Sequence, residues 1–329
     1  MKPQVFVTRI IPDQGLDLIR ENTEMDLWES ELPPPHDVLL EHLKGKQGVV
    51  SLLTDRMDAA LMDANPQIKV ISNMAVGFDN IDIPAATERG IPIGNTPGVL
   101  TDTTADFAFT LLMAAARRVV EGADYVRAGK WETWGPMLLM GQDIHGATLG
   151  ILGFGRIGQG MAQRASGFGM RVLYYDVYRR EDLEKSMGVT YVDLDTLLGE
   201  SDFITIHTDL NPNTRHLFNA AAFSKMRKNA ILINTARGPV VDPAALYDAL
   251  KRGQILAAAL DVTEPEPLPM SSPLLTLPNL LVVPHIASAS VVTRGKMAEI
   301  AARNLIAGLK GERLPTCVNP QVYDKGVRK

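Results

Sequence analysis

The sequence predicts an α/β protein with parallel sheets in two domains, and three observations carry that prediction. Residues 146–176, GATLGILGFGRIGQGMAQRASGFGMRVLYYD, read as a strand, a glycine-rich turn, a helix and a second strand. Residues 1–98 alternate short apolar runs with helix-like ones. The same alternation resumes after Asp176 in a chain of 329 residues, long enough for two domains of about 100–200 residues each. Strands that alternate with helices imply parallel pairing, because each helix carries the chain back to the starting edge of the sheet.

In chain order, residues 4–8 (QVFVT) form a short strand and residues 12–20 a helix, with Pro12 acceptable in the first turn. Residues 32–36 (LPPPH) are a loop, and Asp37 is expected to cap the helix carrying Val38, Leu39, Leu40 and Leu43. Strands at 48–53 (GVVSLL) and 68–73 (IKVISN) flank a helix at 57–64 that Pro66 ends. Residues 91–95 (IPIGN) give a further short strand. Residues 102–127 are alanine-rich, mostly apolar and free of proline, the pattern of one long buried helix, and 131–136 (WETWGP) form a turn. Beyond Asp176, helices are expected at 194–198, 220–226 and 243–252, and strands at 203–207, 230–234, 257–262 and 280–283. A final helix covers 293–309.

The central stretch has a physical reading of its own. Strand 148–152 runs into Gly153-Phe154-Gly155-Arg156-Ile157-Gly158, a G-x-G-x-x-G pattern. Gly153 allows the tight strand-to-helix turn, Gly155 lets a pyrophosphate approach the backbone, and Gly158 lets helix and strand pack closely. Arg156 and Ile157 lie in the turn, and the helix expected at 159–168 offers free N–H groups and a positive dipole end to phosphates at its start. Asp176 follows Gly158 by 18 residues, near the spacing of about 20 at which an acid meets the ribose hydroxyls of a dinucleotide.

Composition excludes several classes. The chain is 46% hydrophobic with a net charge of −5, which leaves no basic footprint for nucleic acid. Its one cysteine, Cys317, precludes an intrachain disulfide and suits a reducing compartment. The start, MKPQVFVTRIIPDQG, lacks the apolar core of a signal peptide, and no apolar run reaches the roughly 18 residues of a membrane helix. The expectation is a soluble cytoplasmic protein with no nucleic-acid or membrane partner, and no residue is assigned to a metal.

Ligands of open α/β sheets sit at the carboxyl ends of strands, and three such ends carry reactive side chains. Thr235-Ala236-Arg237-Gly238 follows one strand, Asp261 to Pro267 the next, and Pro284-His285 the last. An arginine, a carboxylate and a histidine can thus converge beside a dinucleotide. Glu264 competes with Glu266 as the carboxylate, and His207 competes with His285 as the histidine. His36, His42, His145 and His216 are expected to be solvated.

With these residues in view, the chain resembles the D-isomer-specific 2-hydroxyacid dehydrogenases over nearly its whole length. The resemblance rests on Gly153 to Gly158, on Asn234 to Gly238 with Val240-Val241-Asp242, on Leu260-Asp261-Val262 to Glu266-Pro267, and on Pro284-His285-Ile286. Ala75 to Asp82, Asn95 to Leu100 and Ala105 to Ala108 make it most similar to the glyoxylate/hydroxypyruvate reductase branch. The resemblance implies two doubly wound domains, a Rossmann NAD(P)-binding domain at 99–287 inserted into a flavodoxin-like substrate domain at 1–98 and 288–329, with a cleft that closes by hinge motion.

It also implies roles. Arg237 would hold the carboxylate of a small 2-keto acid and polarise its keto oxygen, and His285 would protonate that oxygen as hydride arrives. Glu266, not Glu264, is the acid the family places against His285. Backbone N–H groups of Val76 and Gly77 would grip the substrate carboxylate. Thr104, Thr208, Thr235 and Asp261 would line the cofactor, Asp261 near the carboxamide and His285 beside the nicotinamide. Asp176 favours NAD, while Arg179 and Arg180 leave NADP as the alternative. Family members are usually dimers through the cofactor domain, and the apolar segment 131–140 is a candidate contact. Other branches remain as alternatives, namely phosphite, phosphoglycerate, formate or D-lactate-type dehydrogenases, as does a non-enzymatic NAD(H)-binding scaffold like the related co-repressors. The phosphite branch carries a lysine where this chain has Val76.

Overall fold

The computed structural model describes residues 1–328. The chain forms two compact units, Met1–Leu100 with Ala289–Lys329, and Thr101–Ser288. The first begins with β1 (Gln4–Val7), α1 (Asp13–Asn22), β2 (Glu24–Leu27), α2 (His36–His42), β3 (Gly48–Ser51), α3 (Ala59–Ala64), β4 (Val70–Asn73), α4 (Ile83–Glu88) and β5 (Ile93–Gly94). Its five strands run in the order β2-β1-β3-β4-β5, with every neighbouring pair parallel. That 2-1-3-4-5 order is the flavodoxin-like one.

The second unit contains α5 (Thr101–Ala116), α6 (Val119–Arg127), β6 (Thr148–Leu152), α7 (Arg156–Ser166), β7 (Arg171–Tyr175), α8 (Glu181–Met187), β8 (Val189–Tyr191), α9 (Leu194–Glu200), β9 (Phe203–Ile206), α10 (Ala220–Lys225), β10 (Ile231–Asn234), α11 (Pro243–Lys251), β11 (Ala257–Leu260) and β12 (Leu280–Val282). The seven strands run β12-β11-β10-β9-β6-β7-β8, all parallel. The order reverses between β6 and β9, the switch point of a Rossmann sheet, where ligands bind outside the strand ends. The chain then returns to the first unit with α12 (Val291–Leu309) and α13 (Val322–Lys325).

Side-chain alternation explains the layers. In β1, Val5 and Val7 face one core with Leu16, Ile19, Met297, Ala301 and Leu305, and Phe6 faces another with Leu39, Leu43, Leu61 and Ile71. Successive residues of a strand point to opposite faces, so a doubly covered sheet reads as an unbroken apolar run. The second unit repeats the plan. Leu149, Ile151, Phe203 and Ile233 pack under α5 and α7, while Ile204, Ile206, Leu232 and Leu260 pack against α9, α10 and α11. Full burial of each such side chain stabilises by about 1.5–3 kcal/mol.

Several expectations need correction. Residues 102–127 are two helices rather than one. Arg118 breaks them with a left-handed backbone (φ 51°), and Gln142 N–H donates to the Ala116 carbonyl at 2.9 Å, closing the end of α5. Asp37 lies in the first turn of α2, whose N-cap is Pro35. The helix after the glycine loop starts at Arg156 rather than three residues later. His42 is not simply solvated, since it stacks on Phe6 with ring centroids 4.9 Å apart and its Nδ1 meets Asp26 at 3.1 Å. Strands β2 and β8 and helices α4, α8 and α13 were not expected.

Candidate active site

The glycine loop is shaped by what surrounds it. Gly153 is left-handed (φ 88°), and a Cβ there would come within 2.7 Å of the His207 carbonyl and the Thr208 nitrogen. The loop therefore packs directly on the end of β9, with Thr208 alongside. A Cβ on Gly158 would fall 2.2 Å from the Gly153 oxygen, so only glycine permits this helix-to-turn approach. Around Gly155 a Cβ would meet nothing within 4 Å. Gly155 is also the N-cap of α7 and supplies no side-chain cap, leaving the first-turn N–H groups open to an anion. Arg156 is exposed, and Ile157 packs against the core below.

Asp176 closes the other side. Its Oδ2 accepts the Phe154 N–H at 2.6 Å and its Oδ1 the Tyr178 N–H at 3.1 Å. Each carboxylate oxygen keeps a further lone pair for a ribose hydroxyl. Thr104 is buried on α5. Thr235, just past β10, is buried with a hydroxyl that has no hydrogen-bond partner among the described residues. An open cradle at Gly155, an uncapped helix start and an orphaned hydroxyl at a neighbouring strand end fit a dinucleotide across the switch point.

Three strand ends carry the reactive groups. After β10, buried Asn234 shapes the turn, its Nδ2 donating to the Arg237 carbonyl at 2.9 Å and its Oδ1 accepting the Ala236 N–H at 3.0 Å. Arg237 Nη1 donates to the Ala236 carbonyl at 2.8 Å. After β11, Glu266 Oε1 meets His285 Nδ1 at 2.6 Å, and Glu266 Oε2 accepts the Thr263 N–H at 3.3 Å. Burial alone would raise the Glu266 pKa. The bond and charge of His285, the Thr263 N–H and the nearby Arg237 outweigh it and hold the carboxyl below the ordinary glutamate range. The turn at Gly238 presses on Thr263, so the Arg237 and Glu266 loops touch.

His285 follows β12 in a left-handed backbone (φ 53°), a conformation that costs a non-glycine residue of order 1–3 kcal/mol. Asp261 imposes it. Its carbonyl accepts the His285 N–H at 2.9 Å, and its buried carboxylate accepts the N–H groups of Ile286 at 2.6 Å and Ala287 at 2.9 Å. Burial raises the Asp261 pKa against the lowering effect of those two bonds. Asp261 thus sits behind His285 and anchors its loop.

The competitors part company here. Glu264 pairs with His216 at 2.6 Å and with Arg215, away from His285, so His216 is not simply solvated either. His207 is held by Thr205, with Nε2 and the hydroxyl 2.8 Å apart, and burial pushes its pKa down to about 3. It stays neutral at any physiological pH.

Comparison with known proteins settles the lineage. A family model described as D-isomer specific 2-hydroxyacid dehydrogenase, NAD binding domain, matches residues 109–287. A glyoxylate reductase of Korarchaeum cryptofilum is 55% identical over 323 residues, covering 98% of this chain and 97% of that protein. The chain belongs to the D-isomer-specific 2-hydroxyacid dehydrogenases. A second family relative, the glyoxylate reductase of Thermococcus litoralis, is 49% identical with 98% of each chain covered. Among solved structures, a Thermus thermophilus protein superposes with a TM-score of 0.91 at 46% identity, over 96% of this chain and 99% of that one. An NADPH-dependent glyoxylate/hydroxypyruvate reductase from Sinorhizobium meliloti, solved with NADP and malonate, gives 0.88 at 32% identity over 100% and 99%.

This member of the family carries a second constellation, within its first unit. Val76 and Gly77 lie in the loop after β4. Asn95 Nδ2 donates to the Val76 carbonyl at 2.9 Å, and Asn73 Nδ2 donates to the Gly77 carbonyl at 3.1 Å. Neither peptide N–H donates to a backbone carbonyl among the described residues. Asn234 and Asn95 lie in segments that carry the family resemblance, but sequence reasoning assigned no role to them or to Asn73. The available signal was position, since Asn73 and Asn234 each end a strand and Asn95 directly follows one. A buried amide there satisfies loop carbonyls that the sheet leaves unpaired.

Among the described residues no group of three His, Cys, Asp or Glu side chains is arranged to hold a metal, and no helix is long and apolar enough to cross a membrane.

Proposed function

We propose that this chain reduces small 2-keto acids, glyoxylate to glycolate and hydroxypyruvate to D-glycerate, with a nicotinamide dinucleotide. The observation that carries the reading is the convergence of Arg237, Glu266 and His285 at adjoining strand ends, in a chain about half identical to several glyoxylate reductases. The unit Thr101–Ser288 takes the role of nucleotide domain and Met1–Leu100 with Ala289–Lys329 that of substrate domain.

The bound dinucleotide supplies a hydride to the keto carbon. Arg237 pairs its planar fork with the substrate carboxylate and polarises the keto oxygen. His285, fixed through Nδ1 by Glu266, presents Nε2 and gives its proton to that oxygen. Glu266 stays ionised to stabilise the protonated imidazole, and Asp261 keeps the ring in place through the backbone. Backbone N–H groups of Val76 and Gly77 would bind the substrate carboxylate. Residues 153–158 hold the pyrophosphate, with Thr104, Thr208 and Thr235 as further cofactor contacts.

The favoured cofactor is NAD(H). Asp176 stands where a ribose 2′-hydroxyl would bind and repels a 2′-phosphate. Arg179 and Arg180 are each engaged by an acid, Glu184 and Asp182. A homodimer through the nucleotide domain is supported by the exposed apolar side chains of Val119, Val120, Val126, Trp131, Trp134 and Met137, which a second copy would cover. Light scattering of the purified chain tests it.

The deciding experiment is oxidation of NADH against NADPH with glyoxylate, hydroxypyruvate and pyruvate, together with NAD⁺ reduction by phosphite. Turnover with glyoxylate and hydroxypyruvate is expected. Phosphite oxidation without keto-acid turnover would overturn the assignment, and tight NADH binding without any turnover would point to a scaffold.

A further inference from the structure

The residues just past Asp176 form a built device rather than a solvated turn. Arg179 Nε and Nη2 donate to the two oxygens of Glu184 at 2.8 and 2.9 Å, a two-pronged pair. The same guanidinium lies over the Tyr191 ring, 5.6 Å from its centroid. Glu184 is itself anchored, because the Tyr174 hydroxyl donates to its Oε1 at 2.9 Å while accepting the Arg180 N–H at 2.8 Å. Tyr174 is fully buried and stacks on Phe154, inside the glycine loop, with centroids 4.2 Å apart. The Glu184 side chain keeps only 20% of its exposure, against 51% for Arg179. Its carboxyl is held below the ordinary range, first by the Arg179 bond. Arg180 is taken up separately by Asp182, through bonds of 2.9 and 2.8 Å.

An exposed ion pair contributes little by itself. This one is bidentate, stacked on an aromatic ring and tied to a buried tyrosine, so the arginine is held in one place. An arginine three residues past the ribose-binding acid is otherwise suited to a 2′-phosphate, since its fork matches a phosphate face.

We propose that Glu184 is a specificity residue that withholds Arg179 from the 2′-phosphate of NADP(H) and so enforces preference for a dinucleotide with a free 2′-hydroxyl. This rests on the reading of residues 153–158 and Asp176 as the dinucleotide site. Glu181 also lies 3.6 Å from Arg179 but is mostly exposed and screened, so it does not replace Glu184.

The test titrates NAD⁺ and NADP⁺ into the purified full chain by calorimetry, with no turnover involved. Glu184→Gln keeps an acceptor for Tyr174 and removes the charge that holds Arg179. Its NADP⁺ affinity is expected to rise about tenfold, the worth of one charge-assisted hydrogen bond, with NAD⁺ affinity unchanged. Adding Arg179→Gln to that variant is expected to abolish the gain. Arg179→Gln in the otherwise native chain is expected to leave NADP⁺ affinity unchanged, which serves as the test should E184Q misfold. A weakened NADP⁺ affinity in R179Q alone overturns the proposal, as does an E184Q chain that binds NAD⁺ normally without the NADP⁺ gain. A native chain that binds NADP⁺ more tightly than NAD⁺ refutes the NAD preference instead, and the E184Q ratio still decides the role of Glu184.

Discussion

The contact between the Arg237 turn and the Glu266 loop can be broken by one methyl group. In Gly238→Ala the new Cβ would sit 1.9 Å from the Thr263 oxygen and 2.1 Å from its carbonyl carbon, where real Cβ contacts stay above 3.0 Å. The two loops must therefore separate by about 1 Å. Either way the site suffers. Moving Gly238 displaces Arg237, and moving Thr263 carries away the N–H that holds Glu266 Oε2 at 3.3 Å. A misplacement of that size costs about a hundredfold in rate, or about 2.7 kcal/mol of transition-state stabilisation. Overpacking costs about 1–3 kcal/mol of stability, which lowers Tm by roughly 1–4 °C at this size, so the protein should stay folded at assay temperature. The glycine loop lies on a different strand end, so the Kd for NADH should change little. The assay is kcat/KM with glyoxylate, alongside NADH titration and thermal melting. A folded variant with native kcat/KM would show that the Arg237–Glu266 spacing is not part of the mechanism.

Other outcomes follow from single observations. Gly155→Ala meets no protein atom, so its melting temperature should match the native protein while NADH binding weakens about tenfold or more, because the methyl occupies phosphate space; calorimetry and melting read the two effects separately. His285→Gln should lose at least about a hundredfold in kcat, whereas His207→Gln, which replaces a neutral ring hydrogen-bonded to Thr205, should keep most turnover; the reverse ranking would move the proton donor to His207. Glu266 has a folded pKa below its ordinary value, so its stabilising charge is fully present above the ordinary glutamate pKa and is lost as pH falls through the lowered one. Turnover against pH should therefore hold through the usual glutamate range, and a decline centred on an unshifted glutamate value would contradict the pairing. Asn95→Ala removes the donor to the Val76 carbonyl and should raise KM for the keto acid about fivefold to tenfold with the NADH KM unchanged, as measured by steady-state kinetics with each substrate varied.

The parts of the fold legible in the sequence were those with strong local chemistry. The glycine loop reads directly, because Gly153 and Gly158 answer contacts that a Cβ would break and Gly155 leaves open the space a phosphate needs. Central strands such as GVVS and ILIN read as continuous apolar runs because both faces are covered. The edge strands β2 and β8 escaped for the opposite reason, since EMDL and VTY are short and largely half-buried. Helix α4 was hidden because it is short, although the Asp82 side chain bonded to Ala85 N–H and a proline in its first turn mark its start. Arg118 sits in no turn motif, so the break after α5 depends on residues 141–142 arriving from elsewhere. At the site, Arg237, Glu266 and His285 were visible as residues at strand ends. The choice of Glu266 over Glu264 came from resemblance and became physical only once His216 was seen to hold Glu264.

The discontinuity of the first unit bears on how the protein is made. Val5, Val7, Leu16 and Ile19 are covered by Met297, Ala298, Ala301 and Leu305 of α12, while all of Thr101–Ser288 lies between them in the chain. A ribosome adding about 5–20 residues per second needs roughly 10–40 s to cross that interval. Throughout it the amino-terminal sheet has one face bare, and Thr101–Ser288, continuous in sequence, can fold as it emerges. A segment translated after the nucleotide unit therefore completes one translated before it, and exposure of that apolar face to chaperones or to aggregation is set by elongation speed.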